Sequence, residues 1–269
     1  MTSGKSDPKV KYALILGSSS GFGGAAAKRL AQEGYHIFGV HLDRRATMPQ
    51  VEALVAEIKA LGVEVTFYNV NASDEEKRKE ICADIRSRIP QGGYLKVLMH
   101  SLAFGTLKPF VDEDPAQSLT KANIQMTMDV MAHSLIYWTQ DLVWNNLLGY
   151  GSRIYGMTSH GSTTVVPTYG AVSAAKAALE AHIRQLALEL GHLGITANAL
   201  KAGVTDTAAL RKIPGHDRMI ELAKNRNPGN RLTTPEDVAN AMVSLCSMNS
   251  QWINGDVISV DNAENVIDR

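Results

Sequence analysis

Gly17, Gly21 and Gly23 are spaced Gly-x-x-x-Gly-x-Gly, with Ser18, Ser19, Ser20 and Phe22 between them. Glycines at that spacing permit a tight turn and let the backbone approach a ligand closely. A helix starting there offers free N–H groups and a positive dipole end to a pyrophosphate. Far downstream, Tyr169 and Lys176 lie seven residues apart, about two turns of an α-helix, so on a helix both side chains share one face. A free phenol has a pKa of about 10, and a nearby ammonium lowers it by favouring the ionised form. Such a phenol can donate a hydrogen bond, or its proton, to an oxygen on which negative charge develops. Thr158 and Ser159 add hydroxyls, and His100 an imidazole, at the ends of apolar runs.

These groups need elements to place them. Apolar runs at 12–16, 37–40, 63–70, 95–99, 153–157, 195–200 and 257–260 read as strands; 23–33, 49–61, 73–89, 118–148, 169–190 and 234–247 read as helices. Gly34 stops the first helix, Ser73 is the expected cap of the third, and Thr234 and Glu236 stand at the start of the last. The alternation calls for a parallel sheet with helices on both faces, an α/β fold of Rossmann-type, doubly wound, with seven strands. Without a repeat or a linker-like stretch, one dinucleotide-binding catalytic domain over 1–269 is expected. Residues 201–231, with Pro214, Gly215, Pro228 and Gly229, are its least regular part and the expected mobile substrate-binding lid.

In such sheets ligands bind at the carboxyl ends of the strands, where His100 sits. The second strand ends in His41-Leu-Asp43-Arg44-Arg45. An acid there binds the adenine ribose hydroxyl, and arginines fork onto a 2′-phosphate; Arg44 and Arg45 beside Asp43 favour NADPH over NADH. Asn71, after the third strand, is a candidate contact for the adenine.

The serine-bearing glycine loop resembles the signature loop of the short-chain dehydrogenase/reductase family. The segment 253–261 is similar to that family's C-terminal stretch, although Asn262 and Ala263 stand where Gly-Gly usually follows. The family's usual catalytic pair is a Tyr and a Lys four positions later. Here Ser173 holds that position, and Tyr169-x6-Lys176 resembles the enoyl-acyl-carrier-protein reductase branch. The stretch 165–181 is similar to that branch's active-site helix, and His100-Ser101-Leu102-Ala103-Phe104 to its His-Ser-x-x-Phe-like stretch. Residues 202–207 resemble the segment that brackets the nicotinamide and its phosphates. The branch often has a second Tyr ten positions before the catalytic one; this chain has Ser159 there, with Thr158 near the catalytic Ser of ordinary members.

The resemblance implies NAD(P)H-dependent reduction of the carbon–carbon double bond of an enoyl thioester. It implies Tyr169 and Lys176 as catalytic groups, with Ser159 and Thr158 beside them. Ser101, Ala103, Ala202, Gly203, Val204, Thr205 and Thr207 would join Lys176 and the glycine loop in holding the cofactor. Reduction of a ketone or aldehyde is the alternative, although residues 128–133 carry no Asn where a carbonyl-reducing tetrad would place one.

The bulk properties are ordinary for a soluble globular protein: 269 residues, 45% hydrophobic, 20% charged and a formal net charge of zero, which favours neither nucleic acid nor a membrane surface. The start, Met1 to Pro8, lacks the apolar core of a secretory signal. Cys82 and Cys246 form no Cys-x-x-Cys motif, and a reducing cytoplasm is expected. No ligand cluster has metal spacing, and His133 reads as a packing residue. Met126, Met128, Val130, Met131, Leu135, Ile136, Trp138, Leu142, Val143, Trp144, Leu147 and Leu148 exceed one core face, which with the resemblance implies a homo-oligomer, a dimer or tetramer. Arg211, Lys212, Arg218, Lys224, Arg226 and Arg231 outnumber Asp206, Asp217 and Glu221 in and beside the lid, a basic surface for an acidic acyl carrier protein.

Overall fold

The computed structural model describes residues 10–267. The polar start from Met1 to Pro8 lies outside them. Seven parallel strands form one sheet in the order β3-β2-β1-β4-β5-β6-β7. The strands are β1 (Lys11–Leu16), β2 (Tyr35–His41), β3 (Val65–Asn69), β4 (Leu95–His100), β5 (Leu148–Ser159), β6 (Thr196–Ala202) and β7 (Val257–Val260). The order runs outward in two directions from β1 and β4, and such a reversal opens a crevice at the carboxyl ends of the strands.

The helices are α1 (Gly21–Gln32), α2 (Met48–Ala60), α3 (Glu75–Arg88), α4 (Lys121–Met128), α5 (Ser134–Trp144), α6 (Gly170–Leu190), α7 (His216–Arg226) and α8 (Pro235–Leu245). β1 shows why the strands read as unbroken apolar runs. Leu14 and Leu16 pack toward α3, α5 and α6. Ala13 and Ile15 pack toward α1, α2 and α8. A strand covered on both faces has no polar side to alternate with. Trp138 fills the first core completely buried, its indole N–H donating to Ala72 O at 2.8 Å.

Three expectations needed correction. The long helix over 118–148 is three pieces: α4, opened by a Thr120/Asn123 capping box, a wide π turn at Asp129–His133, and α5. Asn146, with φ of 54°, ends the run in a left-handed turn, and Leu148 already belongs to β5. Second, α3 is capped by Asp74, which accepts from Lys77 N at 3.0 Å, while the Ser73 hydroxyl donates to Asn71. Third, the irregular segment 201–231 holds α7, eleven residues long. Its clue was Met219, Leu222 and Ala223 at helical spacing. Among the described residues no helix is long and apolar enough to cross a membrane.

The apolar residues counted toward an oligomer face divide. Val130, Met131, Leu135, Trp138, Leu142, Leu147 and Leu148 are core residues, and Met126, Met128, Ile136 and Val143 pack partly buried against them; Trp144 is 68% exposed.

Candidate active site

The glycine loop is shaped by close backbone approach. Gly17 has φ of 87°, and a Cβ there would lie 2.4 Å from Ser101 O; a Cβ on Gly23 would lie 2.1 Å from Gly17 O. Gly21, with φ of 54°, makes the turn into α1. Ser20 precedes α1 without capping it by its side chain. The first N–H groups of α1 therefore keep their hydrogen-bonding capacity and positive dipole end for an anion, which fits the pyrophosphate of a dinucleotide.

Beside this loop opens a cleft of about 570 Å3. Phe22, Ser101, Ala103, Thr158, Ser159, Tyr169, Lys176, Ala202, Gly203, Val204, Thr205 and Thr207 all line it. Twelve residues expected from distant parts of the chain thus meet at the ends of β1, β4, β5 and β6. Leu102, Leu107, Val172, Leu210, Ile213 and Met219 make much of the remaining wall apolar. Among the described residues no group of three His, Cys, Asp or Glu stands close enough to hold a metal ion.

Tyr169 is the residue before α6, and Lys176 lies two turns into it. The Tyr169 ring packs where Gly161 leaves room: a Cβ on Gly161 would lie 2.7 Å from the ring and 3.3 Å from Ser159 Oγ. Burial raises the Tyr169 phenol above its ordinary range, and the neighbouring Ser159 hydroxyl opposes this. Ser159 Oγ is itself buried without a well-formed hydrogen bond. The expected lowering of the phenol by Lys176 is not seen. Lys176 is 5% exposed, and its ammonium donates to Met157 O at 2.7 Å. Burial pulls this lysine down to about 8, against the opposing pull of Glu180. An ammonium has three donors, so two remain for a ribose.

The Thr158 hydroxyl donates to Glu180 at 2.6 Å. His100, read as a ligand-facing group, is fully buried and shares a 2.8 Å hydrogen bond with Ser134. Burial and Lys176 push it down to about 3, so it is neutral near pH 7. His133 pairs with His182 at 3.0 Å.

Asp43, Arg44, Arg45 and Asn71 stand at the ends of β2 and β3, apart from the cleft walls. Arg44 and Arg45 are exposed. Burial raises the Asp43 carboxyl, but hydrogen bonds from Ser19, Thr47 and His41 outweigh it and hold the group below its ordinary range. Asn71 accepts from Ser73 N and Oγ, whereas Asn69 braces the backbone of Asp43 on both sides at 3.0 Å. The lid charges are partly neutralised: Arg211 forms a two-point pair with Asp206 and Arg231 with Asp237. Sequence reasoning missed Glu180, whose place one turn after Lys176 was the available signal, and Gly161, which only the packing of Tyr169 explains.

The chain and its fold are similar to those of known proteins. The chain is 28% identical to enoyl-[acyl-carrier-protein] reductase [NADH] FabI of Aquifex aeolicus, over 87% of this chain and 84% of that protein. It is 30% identical to the uncharacterized oxidoreductase YjdA of Bacillus subtilis, over 92% and 94%. The crystal structure of the Aquifex aeolicus enoyl-[acyl-carrier-protein] reductase (NADH) superposes with a TM-score of 0.81, covering 96% of this chain and 98% of that one at 28% identity. A Burkholderia cenocepacia short chain dehydrogenase in complex with NADP gives 0.79 at 27% identity, covering 95% and 98%. The family model described as "Enoyl-(Acyl carrier protein) reductase" matches residues 17–262, from the first glycine of the loop to the turn after β7. This chain, an NAD-type oxidoreductase by fold, loop and relatives, therefore belongs to the enoyl-(acyl carrier protein) reductase family.

Proposed function

We propose that the chain reduces the carbon–carbon double bond of enoyl thioesters with NADH. The observation that carries this reading is the pairing of Tyr169 and the buried Lys176 in one largely apolar cleft beside the glycine loop. A nicotinamide held beside these residues would supply the hydride that the β-carbon of the conjugated thioester takes up. Negative charge on the thioester oxygen would be met by a hydrogen bond from the neutral Tyr169 phenol, and a proton taken up from water at the α-carbon would complete the reduction. Lys176, steadied on Met157 O, keeps donors for the ribose hydroxyls. Leu102, Leu107, Val172 and Leu210 exclude water and accommodate an acyl chain.

Arg44 and Arg45 suggest NADPH, but charge favours NADH. Asp43 is held as a carboxylate at the ribose end of the crevice, where it accepts a hydroxyl and repels a phosphate. Relatives carry NADH in their names. The substrate is proposed to arrive on an acyl carrier protein, steered by Lys212, Arg218, Lys224 and Arg226 of the lid segment, and the chain to act as a homo-oligomer that covers Trp144.

The test compares NADH oxidation with a crotonyl thioester and with an acetoacetyl thioester. Crotonyl turnover that falls about a hundredfold or more in Tyr169→Phe is expected; activity on acetoacetyl thioester alone would overturn the reading. That second reading, carbonyl reduction, draws on the Ser159 hydroxyl beside Tyr169, where a ketone oxygen would find two donors. For the carrier, Lys212→Glu with Arg218→Glu should lower kcat/KM on carrier-bound substrate far more than on the same chain attached to a small thiol.

A further inference from the structure

We infer that Glu180 is a positioning residue for this site: it ties the end of β5 to α6 through Thr158 and supplies the counter-charge for Lys176. Residues four apart on a helix stand one above the other, so Glu180 lies on the Lys176 face of α6. The two side chains grip neighbouring points of one strand. Lys176 donates to Met157 O at 2.7 Å, and Glu180 accepts from Thr158 Oγ1 at 2.6 Å. The next residue is Ser159, beside the Tyr169 phenol. The pair thus fixes both the ammonium and the strand end that flanks the phenol.

The charge balance points the same way. Lys176 is 5% exposed, and a buried ammonium loses its hydration. Lys176 acts on His100 of β4, and His182 of α6, itself paired with His133 of the π turn, also acts on His100; Tyr169, the residue before α6, lines the same cleft as Lys176, and Lys201 is the β6 partner of Thr158 in the sheet. The phenol is raised and the imidazoles of His100 and His182 are lowered, so these three are neutral near pH 7. Glu180 is the acid that opposes the burial of Lys176.

This rests on the role proposed above for Lys176. The primary readout is therefore the lysine's own titration in the free protein, which a wrong substrate assignment leaves untouched. Lysine-selective 15N NMR, with Lys176→Arg assigning the signal, should give a midpoint of about 8 in the wild type. The cation is lost as pH rises through that midpoint. Removing the opposing charge in Glu180→Gln should lower the midpoint by about one unit, the low end of what a neighbouring opposite charge does. Glu180→Asp, which withdraws the charge by one methylene, should fall between the two, and it carries the test if the Gln variant does not fold. The alkaline limb of kcat/KM should move to lower pH in the same order. An unchanged midpoint in the folded variants, whatever happens to kcat, would overturn the proposal.

Discussion

Gly161→Ala is a sharp test of how the site is built. The added methyl would sit 2.7 Å from Tyr169 Cε1 and 3.1 Å from Cδ1, against 3.4 Å for ordinary contact. The ring must therefore retreat by about 0.7 Å, the gap between 2.7 and 3.4 Å, or the 161 loop must shift by as much. Gly161 is buried, and Tyr169 packs against the first core, so neither yields freely. Overpacking of this kind typically costs about 1–3 kcal/mol of stability. The catalytic effect is larger in proportion, because a misplacement of about 1 Å can lower a rate on the order of a hundredfold. Displacing the phenol by 0.7 Å should thus reduce kcat/KM for a crotonyl thioester roughly 10- to 100-fold. The glycine loop lies elsewhere, so NADH affinity should hold. Stopped-flow NADH oxidation gives kcat/KM, fluorescence titration the NADH affinity and urea unfolding the stability. A variant with wild-type kcat/KM would refute the claim that Tyr169 acts from this pocket.

Ala263 holds φ of 63° where the resemblance expects glycine, and Ala263→Gly should raise unfolding free energy by about 1 kcal/mol, the left-handed strain less the entropy glycine adds to the unfolded chain; a drop in urea midpoint would contradict this. Arg78 and Asp141 form an ion pair with both side chains 9% exposed, so Asp141→Asn should cost about 3–5 kcal/mol by leaving Arg78 uncompensated, again read by urea unfolding. His100 is pushed from 6.5 down to about 3 by burial first and Lys176 second. Below pH 6.5 the unfolded chain takes up a proton that the folded chain refuses until about pH 3, so stability is full above 6.5 and falls as the pH drops through that window. The slope owed to this group is about 1.4 kcal/mol per pH unit. His100→Gln should flatten the pH dependence of unfolding free energy between pH 6 and 4 by about that amount; an unchanged slope would mean that other groups govern acid unfolding.

The sequence by itself determined the sheet and the loop. The inner strands β1, β2, β4, β5 and β6 are largely buried, so they carry long apolar runs, whereas the edge strands β3 and β7 are only partly covered; the glycines of the phosphate loop answer a steric demand that no other residue meets. The Tyr169 and Lys176 pair was legible for a similar reason, since a helix converts spacing into a shared face. What neighbours decide was not legible in the same way. The break at Asp129–His133 and the cap at Asp74 depend on which groups reach which backbone. Arg44 and Arg45 promised a phosphate site, yet Asp43 is braced as a carboxylate by Ser19, Thr47 and His41, from three different segments. The phenol expected to be lowered by Lys176 is raised, because burial outweighs the Ser159 hydroxyl while the lysine is engaged on Met157 O. Charge and proton affinity depend on solvent exclusion and on partners across the fold, and only the tertiary structure sets those.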